Sequence, residues 1–437
     1  MVTRLKRRFI MKKSTILLLC AATILFSACN QNAPVNKQRE VKKLVLSPQD
    51  EAINVHQNEF TLNLLKQANA NETESENVFL SPLSVSILCG MLTNGAGGNT
   101  LDQILSTIGA GDFSVDDLNN YYQNFISCVT SLDSTTDMNI ADAIWVDDQC
   151  HVKEPFVEAN KTFYFATVEN LDLQSQIAPK TINDWADKST KGLVRDIIKE
   201  PFSDACRMVL TNAIYFKGLW KDAFKTENTK TEPFNLADGT QSTIKMMNQT
   251  GELMVTRAPA WICSTEGGLE SYGARMLRLY FKDKAYCMDI ILPREGVNCD
   301  EYLAMLNMQA LQLLETALGE YDVEVKLPKF TLKYHRDLND DMKTLGMTDA
   351  FSGQLANFSG IAEEPLYLSK LFQDSFLEVD EAGAKAAAVT VATMDYTSAE
   401  PDVVPPFIVN RPFLLFIREC TYGTILFAGK IGHPESK

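Results

Sequence analysis

Apolar residues recur at three- and four-residue intervals through the first part of the chain, and this spacing predicts amphipathic helices. The first helix should begin at Pro48, with Ser47 as its N-cap, and should bury Phe60, Leu64 and Leu65 on one face. Proline suits a first helical position because its missing N–H would have no partner there. The pattern therefore predicts that the folded structure begins close to residue 48.

Similar start signals follow further along the chain. A short strand at 77–80 should lead into a second helix, which Ser81 and Pro82 are expected to cap. Thr100 is expected to cap the helix after that. Between these two helices, the glycine-rich stretch GAGGNT (95–100) is interpreted as a helix-ending turn rather than a phosphate-binding loop.

Runs rich in β-branched and aromatic residues predict strands in the later part of the chain. They lie at 138–146, 207–216, 287–293, 323–330, 407–417 and 424–431. Helices dominate early, strands dominate late, and no period repeats. This order favours one large α+β domain, with strands in large mixed or antiparallel sheets, over alternating βαβ units.

The first 28 residues differ from the rest. The basic MVTRLKRRFIMKK is followed by the apolar STILLLCAATILF and by small residues before Cys29, which is the pattern of an export signal. The apolar run is too short to span a membrane comfortably. The segment resembles a bacterial lipoprotein signal, which implies lipidation of Cys29; an ordinary secretory signal is the alternative. Either Met1 or Met11 can be the start.

The expected organisation is a signal at 1–28, a polar tether at 29–47 and a folded domain at 48–437. Removing the signal removes six basic residues and no acid, leaving 35 Lys and Arg against 56 Asp and Glu, a formal charge of −21. Such a chain repels phosphate and sulfate groups, so nucleic acids and glycosaminoglycans are not expected partners. The expected location is a membrane, in the periplasm or at the cell surface. The residues after Cys29 contain no acidic cluster that would favour surface export.

Local chemistry gives little sign of catalysis. Ten cysteines are dispersed without a CxxC, and those beyond Cys29 are interpreted as small buried hydrophobic residues. The four histidines are isolated, and no nucleophile-elbow, zinc or P-loop motif occurs. No cofactor or metal is therefore expected, although a Ser/His/Asp site assembled only in space remains an open alternative.

The segment DEAGAKAAAVTVATMDYTSAEP (380–401) combines small and β-branched residues. In a strand, side chains alternate between two faces. One face would carry Ala384, Ala386, Ala388, Thr390, Ala392 and Met394, and the other Lys385, Ala387, Val389, Val391, Thr393 and Asp395. The first face is small and almost apolar, so this segment can enter a packed interior as a strand.

The stretch FIVNRPFLLFIRECTYGTILFAGKIGHP (407–434) resembles the serpin signature, with Asn410 to Phe413 as its opening motif. Five other segments resemble serpin segments in the same order: 77–86, 181–198, 211–224, 276–293 and 323–334. The resemblance covers residue 48 to the end. It implies the serpin fold, large sheets with surrounding helices and an exposed reactive-centre loop at about 381–406.

In that family a protease cuts the loop, and the loop then inserts into the main sheet before the acyl-enzyme can be hydrolysed. The resemblance therefore implies an inhibitor of serine proteases, and not an enzyme. The residues that it assigns to the loop hinge are Glu381, Gly383, Ala384, Ala386, Ala387 and Ala388.

Family spacing from Glu381 places the scissile bond between Thr397 and Ser398, with Met394 and Tyr396 as alternates. A backward count from Asn410 points near Pro401, a poor cleavage site. Because the residues around the bond lack Arg and Lys, elastase-, chymotrypsin- or subtilisin-like proteases are the expected targets.

The resemblance also assigns residues to the part of the sheet that opens. They are Asn77, Ser81, Ser84 and Trp220, with Gln373 where the family often has a histidine. This departure puts the usual histidine-centred network in doubt, although an amide can both donate and accept hydrogen bonds.

Two other functions compete with protease inhibition. The first is a non-inhibitory serpin acting as a binding or carrier module, against which the small Ala384–Ala388 run argues. The second is a hydrolase on the same scaffold. The expected state is a monomer, held to the membrane by its lipid, that binds serine proteases covalently, with papain-like cysteine proteases as a second class of target.

Overall fold

The computed structural model describes residues 41–73, 76–263, 271–383 and 404–435. Its helices are α1 (Pro48–Ala70), α2 (Pro82–Thr93), α3 (Gly98–Thr107), α4 (Val115–Val129), α5 (Glu154–Tyr164), α6 (Ala178–Ser189), α7 (Cys299–Met305), α8 (Met308–Thr316) and α9 (Asn339–Thr344). Its first seven strands are β1 (Asn77–Leu80), β2 (Asp137–Asp147), β3 (Thr167–Leu171), β4 (Met208–Lys217), β5 (Lys230–Asn235), β6 (Gln241–Thr256) and β7 (Ala260–Cys263). The remaining strands are β8 (Ser271–Tyr280), β9 (Tyr286–Pro293), β10 (Leu318–Asp337), β11 (Lys370–Val379), β12 (Phe407–Ile408), β13 (Phe413–Glu419) and β14 (Ile425–Ile431).

Five neighbouring strands form what we call the central sheet, in the order β3–β2–β4–β11–β10. It is mixed: β2 pairs with β3 and β4 with β11 in parallel, whereas the β2–β4 and β10–β11 pairs are antiparallel. Strand β10 is long enough to leave this sheet and pair with β6, after which the order continues β8–β9–β13–β14–β1. This mixed sheet and its surrounding helices confirm the predicted α+β class.

Helix α2 lies in the core, and all its residues are buried. It contacts β2 and β4 of the central sheet on one side and β14 on the other. The predicted cap is present, because the Ser81 side chain accepts a hydrogen bond from the Ser84 backbone and Pro82 occupies the first turn. Ser81 is therefore held next to the middle of the central sheet.

The start of α1 also follows the prediction. The Ser47 hydroxyl accepts from the Asp50 N–H at 3.2 Å, while the Asp50 carboxylate accepts from the Ser47 N–H at 3.0 Å. Residues 41–47, which we assigned to the tether, nevertheless contact the domain, since Leu44 and Leu46 are buried. Ordered packing thus begins upstream of residue 48.

Two expectations about element boundaries are wrong. Thr100 lies inside α3, whose N-cap is Gly97, because Gly98 has a φ of +53° and starts the helix three residues early. The strand predicted at 407–417 is two strands: β12 pairs with β10, whereas β13 pairs with β9 and β14. Pro412 lies in the break, where a residue without an N–H interrupts no ladder.

Seven cysteines are free thiols, and five of them are buried, as expected of small hydrophobic residues: Cys89, Cys150, Cys206, Cys287 and Cys299. Cys128 and Cys420 are partly exposed. Within the described ranges, no helix has the length and apolar content needed to cross a membrane.

Candidate functional site

The centre of the mixed sheet is a seam between two parallel strands. Strands β4 and β11 pair directly, from Val209 opposite Lys370 to Tyr215 opposite Phe376. Their side chains are almost entirely buried. Residues 384–403 follow β11 in the chain and lie outside the described residues, as do the hinge alanines, Met394, Tyr396, Thr397 and Ser398 assigned to this loop.

The chain leaves the end of β11 through a tight turn at 380–383. Asp380 and Gly383 form an isolated antiparallel bridge, and Gly383 has a φ of +94°. A Cβ at Gly383 would lie 2.3 Å from the Gly218 carbonyl oxygen and 2.5 Å from the Trp220 nitrogen. Glycine is therefore required here both by conformation and by space, which agrees with its assignment to the hinge.

Trp220 holds this turn against the sheet. Its backbone N–H donates to the Ala382 carbonyl at 3.1 Å, and its indole Nε1 donates to the Asp380 carbonyl at 2.9 Å. The indole stacks on Phe281, with ring centroids 4.7 Å apart. The expected tryptophan thus contacts the first residues of the loop and marks the end of the seam from which the loop departs.

Glu381 forms the charged contact of the turn. Its carboxylate is buried and accepts from Lys329 Nζ at 2.5 Å and from the Thr229 hydroxyl at 2.8 Å. Burial alone would raise the pKa of Glu381, but these hydrogen bonds outweigh it and hold the pKa below its usual value. Glu381 is therefore ionised and held by Lys329 of β10 and by Thr229.

Gln373 crosses the middle of the seam. Its Oε1 accepts from the Ser81 N–H at 2.9 Å, and its Nε2 donates to the Ser81 carbonyl at 2.8 Å and to Asn212 Oδ1 at 3.2 Å. Ser81 also bonds to the Ser84 hydroxyl at 3.1 Å. At the position where the family often has a histidine, the amide thus both donates and accepts, and it joins β11 to β4 and to the start of α2.

Asn77 lies apart from this network. Its amide bonds to the backbone of Gly432 and His433, at 2.8 to 3.0 Å. It fastens β1 to the end of β14. The structure therefore brings together Ser81, Ser84 and Gln373, and places Asn77 outside the seam.

Asp142 is a member of the network that the sequence analysis missed. It lies on β2 directly opposite Asn212, whose Nδ2 donates to its carboxylate at 2.9 Å. Burial raises the pKa of Asp142 to about 7, and the hydrogen bond from Asn212 lowers it only in part. A single acid in the mostly apolar run MNIADAIWV was the sequence signal. The result is a hydrogen-bonded line from β2 to α2: Asp142, Asn212, Gln373 and Ser81.

A second polar pair on the central sheet bears on the enzyme alternative. His335 Nδ1 lies 3.0 Å from Asp374 Oδ1, and this hydrogen bond raises the pKa of His335. The neighbouring serine, Ser375, points to the opposite face and donates to the Phe79 carbonyl at 2.7 Å. Ser375, the serine next to Asp374 on β11, therefore cannot act as a nucleophile for this pair. Nor do the described ranges contain a cluster of three or more metal-ligating side chains.

Comparison with known proteins places this seam in a family context. The family model described as "Serpin (serine protease inhibitor)" matches residues 55–434. The chain is similar to neuroserpin of Homo sapiens, with 33% identity over 367 residues that cover 83% of this chain and 87% of the relative. It superposes on tengpin, a thermophilic serpin in the native state, with a TM-score of 0.76, 26% identity and coverage of 92% and 99%. It also superposes on human thyroxine-binding globulin in complex with thyroxine, with a TM-score of 0.77, 25% identity and coverage of 89% and 100%.

Proposed function

Because the chain belongs to the serpin family, we propose that it inhibits serine proteases as a suicide substrate. Serpins are protease inhibitors and not enzymes, which confirms the expectation that this chain is not an enzyme. Family membership leaves open the mechanism, the class of target protease and the location of this chain, and each is proposed below.

The observation that carries the mechanism is the direct parallel pairing of β4 with β11. The turn at 380–383 reverses the chain after β11, so a strand formed by the following residues would run antiparallel to β11. It would run antiparallel to β4 as well, since those two strands are parallel. A strand entering the seam would therefore replace one parallel ladder with two antiparallel ladders, which are more stable per residue.

The length of the loop suits this transfer. Ala384 to Thr397 would extend about 46 Å at roughly 3.3 Å per residue, whereas β11 has 10 residues. The face carrying Ala386 and Ala388 would meet the core, and the face carrying Lys385 would meet solvent. This division supports insertion of the segment into the seam.

In the proposed reaction, the protease serine oxygen attacks the carbonyl carbon of Thr397. The peptide bond breaks, the amine of Ser398 leaves with a proton, and Thr397 remains bound to the protease as an ester. Insertion of residues 384–397 into the seam then carries the protease away from its docking position. Hydrolysis of the ester needs an intact oxyanion hole, so distortion of the protease preserves the covalent complex.

The target class follows from the residues around the bond. Met394, Tyr396, Thr397 and Ala399 are apolar or small and carry no cation. A trypsin-like pocket with a carboxylate at its base would bind them poorly, so elastase-, chymotrypsin- and subtilisin-like proteases are the proposed serine protease targets. Papain-like cysteine proteases form thioesters by the same scheme and are the second proposed class.

The alternative is a non-inhibitory carrier, the role of thyroxine-binding globulin among the similar structures. The small residues at 384–388 favour inhibition, because insertion requires side chains that a closed sheet can accommodate. We further propose that lipidation of Cys29 holds the mature chain at a membrane, in the periplasm or at the cell surface, as a monomer that acts without a cofactor.

A panel of purified proteases tests the proposal. The chain is incubated with elastase, chymotrypsin, subtilisin, papain and trypsin, and a denaturing gel is examined for a covalent complex. A complex with at least one of the first three supports inhibition, and mass spectrometry of the released peptide should show Ser398 as its first residue. Cleavage without a complex by every protease would contradict inhibition, and a released peptide that starts outside 395–401 would contradict the assigned bond.

A further inference from the structure

A half-open cavity of about 320 Å³ lies beside the point where the loop re-enters the described structure. We call residues 404–408 the stem, and two of them, Pro406 and Ile408, line this cavity. The wall also contains three arginines, Arg275, Arg294 and Arg411, against one acid among the described lining residues, Glu295. Positive charge is thus concentrated here in a chain whose mature form carries a formal charge of −21.

Arg275 holds the stem with part of its guanidinium group. Its Nη1 donates to the Pro406 carbonyl at 2.9 Å, its Nε donates to the Thr256 carbonyl at 3.0 Å, and its Cζ lies 5.3 Å from the centre of the Phe407 ring. Its Nη2 is buried and has no hydrogen-bond partner among the described residues. A buried donor without a protein partner is uncommon in native proteins and favours an added acceptor.

The hydrogen bonds of the Arg411 guanidinium group go to neutral acceptors among the described residues. Its Nε and Nη2 donate to the Pro293 carbonyl at 3.1 and 2.8 Å, and its Nη1 donates to Asn410 Oδ1 at 3.1 Å. Burial lowers the pKa of Arg411, as it does that of Arg275. Within the described residues, these two arginines are therefore held by carbonyl and amide oxygens. Glu295 attracts Arg411 electrostatically and offsets part of the effect of burial, but no hydrogen bond joins the two side chains.

We propose that this cavity is an exosite, a contact outside the reactive bond, that receives an Asp or Glu side chain from the surface of the target protease. Guanidinium groups bind carboxylates through paired, charge-assisted hydrogen bonds. The Nη2 group of Arg275 has N–H donors that no described residue accepts. The cavity is open on one side, so a side chain on the surface of a docked protein can enter it.

The position of the cavity selects a protease as the occupant. Six residues lie between Thr397 and Val404, so seven chain steps place the scissile bond at most about 25 Å from the stem. A protease that docks on the loop covers about 800 Å² of the inhibitor, a patch that reaches roughly 15 Å from its centre. The cavity therefore falls within this patch, on the leaving-group side of the bond, when the connecting segment spans about 15 Å or less of its reach. This inference rests on the proposed inhibition, and the experiment separates the two.

The test compares two charge-neutralised variants with equal net charge. Arg275→Gln with Arg411→Gln removes the exosite charges, and Lys43→Gln with Lys161→Gln removes two exposed charges elsewhere. The rate of covalent complex formation is measured with each protease that the wild type traps, at 20 mM and at 300 mM NaCl. We expect the exosite pair to lower the rate about tenfold at low salt and to weaken its salt dependence with at least one protease, while the control pair changes the rate less than twofold.

Arg275 also holds the stem, so a structural effect must be distinguished from lost binding. Arg411→Gln alone leaves the contact between Arg275 and Pro406 in place and should lower the rate about threefold, with unchanged inhibition stoichiometry. A second measurement uses glutarate as a carboxylate probe. Glutarate should raise the thermal midpoint of the wild type and of the control pair, and it should slow trapping by competing for the cavity.

The outcomes are separable. Equal rates for the exosite and control pairs with every trapped protease would overturn the exosite and leave inhibition intact. If the wild type traps no protease, inhibition fails and the protease as occupant fails with it. Glutarate binding in that case would assign the cavity to free carboxylates instead. Absence of glutarate binding, together with equal trapping rates, would show that Arg275 serves only to hold the stem and Arg411 only to bond Pro293 and Asn410.

Discussion

Neutralising Asp142 should remove a pH-dependent loss of stability. Asp142 is buried with a pKa raised from 3.8 to about 7, and its carboxylate accepts one hydrogen bond from Asn212. A group with a higher pKa in the folded chain binds its proton more tightly there. Its contribution to stability is therefore fully present below pH 3.8 and is lost as the pH rises through 7.

The size of the effect follows from the shift. Each pKa unit corresponds to about 1.4 kcal/mol, so full ionisation of Asp142 costs about 4 kcal/mol relative to the unfolded chain. Between pH 5 and pH 8 the loss is about 3 kcal/mol. For a domain of roughly 390 residues, this corresponds to a fall of about 3 to 4 °C in the thermal midpoint.

Asp142→Asn keeps the acceptor for Asn212 and cannot ionise. The thermal midpoint is measured by circular dichroism at pH 5 and pH 8, at one scan rate, for the wild type, Asp142→Asn and the exposed control Asp102→Asn. The fall in midpoint from pH 5 to pH 8 should be about 3 °C smaller in Asp142→Asn than in the other two chains. An equal fall in all three would refute the reasoning, because it would mean that Asp142 does not titrate in this range.

Three further predictions concern the hinge, the anchor and the seam. Ala386→Arg should convert the inhibitor into a substrate that is cleaved without a complex, whereas Ala387→Arg on the outward face should still trap protease; equal behaviour on a denaturing gel would contradict the assigned faces. Cys29→Ala should move the chain from the membrane to the soluble fraction on cell fractionation, and unchanged fractionation would end the lipoprotein interpretation. Gln373→Leu should lower the thermal midpoint, because the Ser81 N–H is left buried without its partner at a cost of about 1–3 kcal/mol, and an unchanged midpoint would show that the network adds no stability.

Local signals in the sequence were sufficient for much of the fold. The caps at Ser47 and Ser81 were predictable because a helix start depends on residues within three or four positions. Thr100 was assigned wrongly because the positive φ of Gly98, which allows the earlier start, is set by tertiary context and leaves no distinct pattern. The break in the strand at 407–417 depends on which neighbours each half finds, and those neighbours are distant in the chain.

The candidate site was predictable where a family motif marked it. The resemblance identified Gln373, Trp220 and the glycine of the hinge, but it could not supply the partners of Gln373. Those partners, Ser81 and Asn212, are 292 and 161 residues away in the sequence. Asp142 was missed because its role depends on burial beside Asn212, although an acid within an apolar strand is a signal that can be sought in other chains.

The parallel ladder between β4 and β11 has a consequence for how this protein responds to heating. On the proposed mechanism, the strand that would complete the sheet is already part of the same chain, so a slow rearrangement competes with unfolding. The apparent midpoint should then depend on scan rate, with slower heating giving more time for the rearrangement, and cooling should not restore inhibition. The useful measure of stability during storage is therefore a half-life at a stated temperature. That half-life depends on the activation barrier to separating β4 from β11 and not on the free energy of unfolding.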